Sequence, residues 1–271
     1  MTSELINNIR QLTKDKNPLI HCITNPISIN QCANGILAVG ARPMMAEHPQ
    51  EVEEITQEAN ALVLNMGNIT DARMQSIRLS ASTAQKHNIP FIIDAVGISG
   101  SRLRRDFIND FLKSFTPTAI KGNYSEIYGL YNESYSSAGV DADETLTLEN
   151  VSKTAVKLAE KYNTMVLASG KTDIVTDGKT IVYINNGTPQ LAKITGTGCL
   201  LGVLCGCYLS VDKTVSALIT ACAVLGICGQ LSETVKGNGT FLVNLMDNLS
   251  VVTDSQIDKL LKIEVKNYEE D

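Results

Sequence analysis

Phe91-Ile92-Ile93-Asp94-Ala95-Val96-Gly97 is the stretch that decides the fold. Its apolar residues are consecutive rather than alternating, which is what a strand covered by helices on both faces requires. The run then ends in a carboxylate and a glycine, and ligands of open α/β sheets bind beyond the carboxyl ends of the strands. The same grammar recurs on both sides, in Leu19-Ile20-His21-Cys22-Ile23, Leu62-Val63-Leu64, Ala119-Ile120 and Met165-Val166-Leu167-Ala168. Their endings are Thr24-Asn25, Asn65-Met66-Gly67-Asn68, Lys121-Gly122-Asn123 and Ser169-Gly170, and these are expected to converge in space.

Helical spacing fills 70–88, 141–162 and 212–235, with Asp143 opening an acidic first turn suited to the helix dipole. Strands alternating with helices imply βαβ units around a mainly parallel sheet. Asp177-Gly178, between Ile174-Val175 and Thr180-Ile181-Val182-Tyr183, marks a hairpin that adds antiparallel strands at the far side. No long linker, repeat or low-complexity segment divides the chain, so one domain over 1–271 is expected, with the acidic tail Glu269-Glu270-Asp271 fraying.

Composition narrows the function. The 271 residues are 44% hydrophobic and 19% charged, enough apolar material for a core that needs no disulfide or metal. A net charge of -6 argues against a surface built to neutralise many phosphates, and 5% aromatics without Trp give no base-stacking platform. Nucleic-acid binding is therefore excluded. Seven scattered cysteines read as reduced thiols rather than a secreted disulfide framework. Met1 to Gln11 lacks an apolar signal core, and the most apolar stretch, Gly198 to Leu209, is shorter than the ~20 residues a membrane span needs. A cytoplasmic protein with no membrane partner is expected.

Chemistry concentrates after residue 194. Ile194-Thr195-Gly196-Thr197-Gly198-Cys199 is a glycine-rich turn leading into the small-residue helix Leu200-Leu201-Gly202-Val203-Leu204-Cys205. Gly196 and Gly198 let a ligand approach the backbone, and free amides with the dipole at a helix start stabilise negative charge. Gly196, Thr197 and Gly198 thus form a candidate anion hole, and Cys199 in the first turn is a candidate base. A helix start with packing glycines and a buried thiol reads the same motif equally well.

The turn, together with Cys22-Ile23-Thr24-Asn25, Arg42-Pro43-Met44-Met45-Ala46-Glu47, Asn65-Met66-Gly67, Asp94-Ala95-Val96-Gly97 and Lys121-Gly122-Asn123-Tyr124-Ser125-Glu126-Ile127, resembles the hydroxyethylthiazole kinases over nearly the whole chain. These are ribokinase-like enzymes in which a Cys stands where most relatives carry an Asp base. The resemblance implies Mg·ATP-dependent phosphorylation of 4-methyl-5-(2-hydroxyethyl)thiazole in thiamine synthesis, and a homotrimer with active sites at subunit interfaces. It sets ATP phosphates near Lys121 and Ser169, thiazole contacts near Asn25, Met45, Gly67 and Gly196, and magnesium near Asp94 and Glu126. A Lys supplies a point charge to phosphate, Met a polarizable surface to a sulfur heterocycle, and carboxylates suit Mg²⁺ through water. Lys121 stands where the family often has Arg and lacks the planar fork; Ser169 stands where Thr is common and keeps the hydroxyl. Glu126 also fits a helix cap.

Other features carry less. His21, inside an apolar run, reads as a packed histidine. Cys205-Gly206-Cys207 lacks a second pair at zinc-site spacing. Gly170-Lys171-Thr172 and Gly178-Lys179-Thr180 mimic the end of a phosphate-binding loop, but the earlier glycine would fall at Met165 or Asp173. A ribokinase-like dehydratase acting on a hydrated nicotinamide cofactor shares the scaffold; the Cys and the 42–47 loop favour the kinase. A non-catalytic binding module would not need Asp94, Glu126, Lys121 and Cys199 together. An NAD-dependent dehydrogenase would show Gly-x-Gly-x-x-Gly after an early strand, and none is present.

Overall fold

The computed structural model describes residues 2–132, 135 and 146–267. Asp143 and the tail at 269–271 lie outside them. Nine strands form one sheet among the described residues, in the order β2-β1-β3-β4-β5-β6-β7-β8-β9. They are β1 (Leu19–Ile23), β2 (Arg42–Met44), β3 (Ala61–Asn65), β4 (Phe91–Asp94), β5 (Ala119–Asn123), β6 (Met165–Ser169), β7 (Asp173–Thr176), β8 (Thr180–Ile184) and β9 (Ile263–Asn267). The pairs from β2 to β6 are parallel, and those from β6 to β9 antiparallel. The expected architecture is present, with two additions: a short edge strand, β2, and a last strand, β9.

Helices cover both faces, because every strand but the edge strands β2 and β9 buries both sets of its alternating side chains. On one face Ile20, Cys22, Val63, Ile92, Ala119 and Leu167 share a core with α1 (Ser3–Lys16), α2 (Ile29–Ala38), α8 (Thr197–Leu209), α9 (Val215–Leu231), α10 (Asn238–Val251) and α11 (Asp254–Leu260). On the other, Ile23, Leu62, Leu64, Ile93, Ile120 and Val166 pack with α3 (Val52–Glu58), α4 (Asp71–Lys86), α5 (Arg102–Ser114), α6 (Tyr124–Tyr131) and α7 (Leu148–Tyr162). None of these helices is long and apolar enough to cross a membrane.

The helix boundaries refine the sequence reading. The helical pattern from 70 begins at Thr70, whose hydroxyl accepts the Arg73 amide, and α9 begins after Thr214, whose hydroxyl accepts the Ser216 amide. α7 starts at Leu148 behind the Thr147 cap. In the β7–β8 hairpin, Asp177 Oδ1 accepts the Lys179 and Thr180 amides and Gly178 takes φ +92°. Both look-alike phosphate loops therefore lie among antiparallel strands, not at a strand-to-helix turn.

Sheet order fixes where a ligand can sit. β1 pairs with β2 on one side and with β3 on the other, so the chain reverses its direction of travel across the sheet at the β1/β3 boundary. Crevices beyond the carboxyl ends of strands open at such switch points. α8 begins above this boundary, packed against β3 and β4. A Cβ on Gly206 would lie 2.3 Å from Val63 Cγ2, so only a glycine lets the helix come this close to β3.

Candidate active site

Strand alternation assembles the site. Val63, Ile92 and Ala119 face the α8 side, so Asn65, Asp94 and Lys121, two positions further along their strands, face it too. Asn65 is in register with Asp94, and Asp94 with Lys121. Lys121 Nζ donates to Asp94 Oδ2 at 2.8 Å, with both side chains almost wholly buried. Burial opposes the Lys121 ammonium, but Asp94, Glu126 and Cys199 more than offset it and keep it protonated. Burial also pushes Asp94 up, against the pull of Lys121.

Beyond β1, Asn25 bends back over the strand end. Its Oδ1 accepts the Ser28 amide and hydroxyl, both at 3.1 Å, and its Nδ2 donates to Cys199 Sγ at 3.1 Å and Asn65 Oδ1 at 3.3 Å. Asn65 Nδ2 reaches the same sulfur at 3.4 Å and Asp94 Oδ2 at 3.2 Å. Cys199 is half-buried, whereas the other six cysteines are buried. Gly67 returns its amide to Asn65 Oδ1 at 2.8 Å, and a Cβ there would lie 3.0 Å from Asn25 Nδ2.

The α8 start is open. Gly196 precedes the helix at φ +90°, a conformation that strains any residue with a Cβ, and no side chain caps the amides that follow. The first helical bond runs from Leu200 N to Gly196 O, so the amides of 197–199 precede the ladder. Thr197 Oγ1 donates to the carbonyls of Leu191 and Ile194, bracing the turn from behind. On the open side, a Cβ on Gly198 would stand 3.7 Å from Lys121 Nζ, and one on Gly202 3.4 Å from Asp94 Oδ2.

Glu126 is buried, and its two oxygens accept one backbone amide at its own helix start and one from the turn after β4. Its Oε2 accepts the Asn123 amide and its Oε1 the Gly97 amide, each at 2.7 Å, while Asn123 Oδ1 accepts the Glu126 amide. This is a capping box, and it supports the helix-cap reading of the residue. Burial and Asp94 push its carboxyl up to about 7, against Lys121 and the two amides.

Ser169 ends β6 beside Asn123 and donates to the Gly122 carbonyl at 3.3 Å. Met45 lies on the flank, half-buried in the loop after β2. His21 holds that loop through Nε2 on the Ala46 carbonyl and Nδ1 on Thr56, both at 2.9 Å, a structural use as expected.

Two contributors were absent from the sequence-derived candidates. Asn65 links the asparagine, thiol and ion-pair contacts; its signal was an amide closing an apolar strand. Arg73, buried on α4, pairs with Glu47 at 2.7 and 2.8 Å and donates to the Gly67 and Asn68 carbonyls, joining the Met45 loop to the end of β3. An arginine at helical spacing from Ser76, Ile77, Ser80, Ala81 and Ala84 was the only hint.

This arrangement brings together a half-buried sulfur, three amides that precede the helical ladder and a buried cation. A sequence profile of the hydroxyethylthiazole kinase family matches residues 9–255. The chain belongs to that family. It is 44% identical over 265 residues to hydroxyethylthiazole kinase 2 of Clostridium botulinum (strain Hall), covering 96% of this chain and 99% of that protein. Hydroxyethylthiazole kinase of Finegoldia magna is 41% identical over 256 residues, covering 93% and 95%. Among solved structures, hydroxyethylthiazole kinase from Pyrococcus horikoshii OT3 superposes with a TM-score of 0.90 at 29% identity, covering 97% of this chain and 99% of that one. A pyridoxal kinase from Staphylococcus aureus, solved with AMP-PCP and pyridoxal, shares the fold at a TM-score of 0.65 and 13% identity, covering 92% and 98%.

A magnesium ion, which kinase chemistry implies, would need hard oxygen donors at this site. Asp94 Oδ1 is buried without a hydrogen-bond partner, an orphaned hard oxygen beside the Lys121 cation. That fits a cation or its water. Glu126 fits only at a remove, because each of its oxygens already accepts a backbone amide. No cluster of three His, Cys, Asp or Glu side chains exists among the described residues. The residues present therefore suit an ion held largely by nucleotide phosphates and water.

Proposed function

We propose that this chain transfers the γ-phosphoryl group of ATP to the hydroxyl of 4-methyl-5-(2-hydroxyethyl)thiazole, supplying the thiazole phosphate for thiamine synthesis. The single observation that carries the reading is the Cys199 sulfur, gripped by Asn25 and Asn65 at 3.1 and 3.4 Å, in the same first turn as the open amides of α8. A substrate hydroxyl at that sulfur would face a phosphoryl group on the amides.

The steps follow from the groups. Asn25, Gly67, Gly196 and Met45 line the thiazole side, where Met offers a polarizable surface to the ring sulfur. The hydroxyl oxygen attacks phosphorus, its proton passes to Cys199 or through it, and ADP leaves. Equatorial oxygens gather charge in this transfer, and the 197–199 amides meet that charge already oriented. Lys121 and Ser169 hold the nucleotide phosphates from the strand ends. Asp94, with Glu126 through water, would hold the magnesium ion, which when bound neutralises phosphate charge.

The chain acts as one domain in the cytoplasm, in a homotrimer with sites between subunits. Outward-facing Ile27, Leu37 and Met44, exposed by 66%, 56% and 36%, support that assembly. Ile27 on the β1–α2 turn and Met44 at the end of edge strand β2 lie on the side of the site where a second copy would add a wall, and Leu37, at the far end of α2, extends the exposed apolar surface away from it. The test is ADP release from Mg·ATP, driven by the thiazole alcohol and run beside pyridoxal and hydroxymethylpyrimidine. A clear preference for the thiazole is expected; equal rates with all three would defeat the assignment.

A further inference from the structure

Asn65 carries no proton or phosphate in this scheme, yet its side chain is the most fully connected in the site. A primary amide offers two acceptor positions and two donors. Here all four are engaged: Oδ1 by the Gly67 amide and Asn25 Nδ2, and Nδ2 by Asp94 Oδ2 and Cys199 Sγ. The orientation is forced, since a backbone N–H can only donate and the Gly67 amide identifies the oxygen end. The NH₂ end must then point at the sulfur and the carboxylate. Asn25 is fixed the same way by the Ser28 amide.

The two acceptors of that NH₂ group belong to opposite halves of the chemistry. Cys199 would face the substrate hydroxyl, whereas Asp94 is paired with Lys121 on the phosphate side. They rise from separate elements, α8 and β4, and Asn65 on β3 bridges them. We propose that Asn65 is a positioning residue for phosphoryl transfer, fixing the Cys199 sulfur relative to the Asp94–Lys121 pair so that hydroxyl and phosphate keep one alignment. This rests on the kinase reading above.

A purely structural Asn65 would only shape the Gly67 turn. Asn65→Asp separates the two roles: it keeps the size and the acceptor for Gly67 and Asn25, but returns at most one donor, which Asp94 would claim ahead of the sulfur. Misplacement of reacting groups by an ångström costs about 100-fold in rate, so Asn65→Ala and Asn65→Asp should lower kcat by about 10–100-fold. The KM for ATP should stay within about 3-fold, because Lys121 and the α8 amides remain.

A double-mutant cycle with Cys199→Ala supplies the readout that a structural role would not move. Asn65→Ala should cost less than about 3-fold in the Cys199→Ala background, since its partner is already gone. Independent, additive losses would overturn the proposal. Iodoacetamide adds a check that needs no substrate, because only Cys199 among the seven thiols is not buried. Asn65→Ala removes the donor to the sulfur without adding a charge and should change its alkylation rate by about 10-fold. An unchanged alkylation rate in folded Asn65→Ala, verified by its melting curve, would likewise overturn the proposal. Absence of thiazole turnover in the unmutated protein would instead sink the kinase reading, and the alkylation arm would still decide whether Asn65 governs the sulfur.

Discussion

Two helices start at the same edge of the sheet and treat their first turns in opposite ways. α6 closes its start from within: Asn123 and Glu126 cap each other's amides, and Glu126 also takes the amide of Gly97. α8 starts with Gly196 at positive φ, carries no side-chain cap and brings Gly198 to where a Cβ would stand 3.7 Å from the Lys121 ammonium. Both starts have the same unsatisfied donors and the same dipole. Where the chain supplies the acceptor, the helix start is structural; where it withholds one beside a cation, an anion from outside can take the place.

Mutations can break this contrast from either side. The largest effect is expected at the shared cation. Lys121→Met would leave Asp94 buried without its partner, at about 3–5 kcal/mol in chemical unfolding, and abolish thiazole-dependent turnover. Next, Gly196→Val would force a β-branched residue into φ +90° with its Cβ 3.0 Å from that of Ser28. Displacing the open amides should lower kcat by about 10²–10³-fold, the cost of losing one transition-state donor, measured by coupled ADP release.

At the closed start, Glu126→Gln presents an NH₂ to one of two backbone N–H groups and should cost about 1–3 kcal/mol by unfolding at low pH. The pH dependence sharpens the point. Glu126 is raised to about 7 in the folded chain, so its stabilising contribution is fully present below its ordinary carboxyl range and is lost as pH rises through 7. Without magnesium, the melting temperature of the unsubstituted protein should fall relative to Glu126→Gln between pH 5 and pH 8. Parallel melting curves would refute that account of Glu126. The smallest effect belongs to Ser169→Ala, whose hydroxyl makes one 3.3 Å contact to the Gly122 carbonyl. A neutral hydrogen bond of about 1 kcal/mol gives a loss of a few-fold in kcat/KM for ATP.

Much of this was legible from residue order. Consecutive apolar runs ending in Asn, Asp, Lys or Ser identified five parallel strands and the edge where their ends meet, because burial on both faces removes alternation. β2 escaped because three residues including Pro43, two of them exposed, carry no strand pattern. β9 escaped because Ile-Glu-Val-Lys-Asn at the sheet edge reads like a polar tail. In the site, glycine spacing announced the α8 turn, and the Lys121-to-Ile127 motif left Glu126 open between cap and metal. Only the positions of the Gly97 and Asn123 amides separate those readings. Asn65 and Arg73 were hidden for the same reason: their partners come from other strands and loops, and no local spacing encodes such contacts.

The central claim is that the open start of α8 receives a phosphoryl group, and Gly198→Ala tests it most directly. A methyl there meets Lys121 Nζ at an ordinary 3.7 Å, and alanine favours a helix over glycine by about 1 kcal/mol. The fold is therefore untouched or stabilised, while the space between the amides and the ammonium is filled. Melting temperature and thiazole-dependent kcat/KM should be measured on the same preparation. An equal or higher melting temperature with activity lower by about 100-fold is the predicted result. Activity within about twofold of the unsubstituted protein would contradict the account.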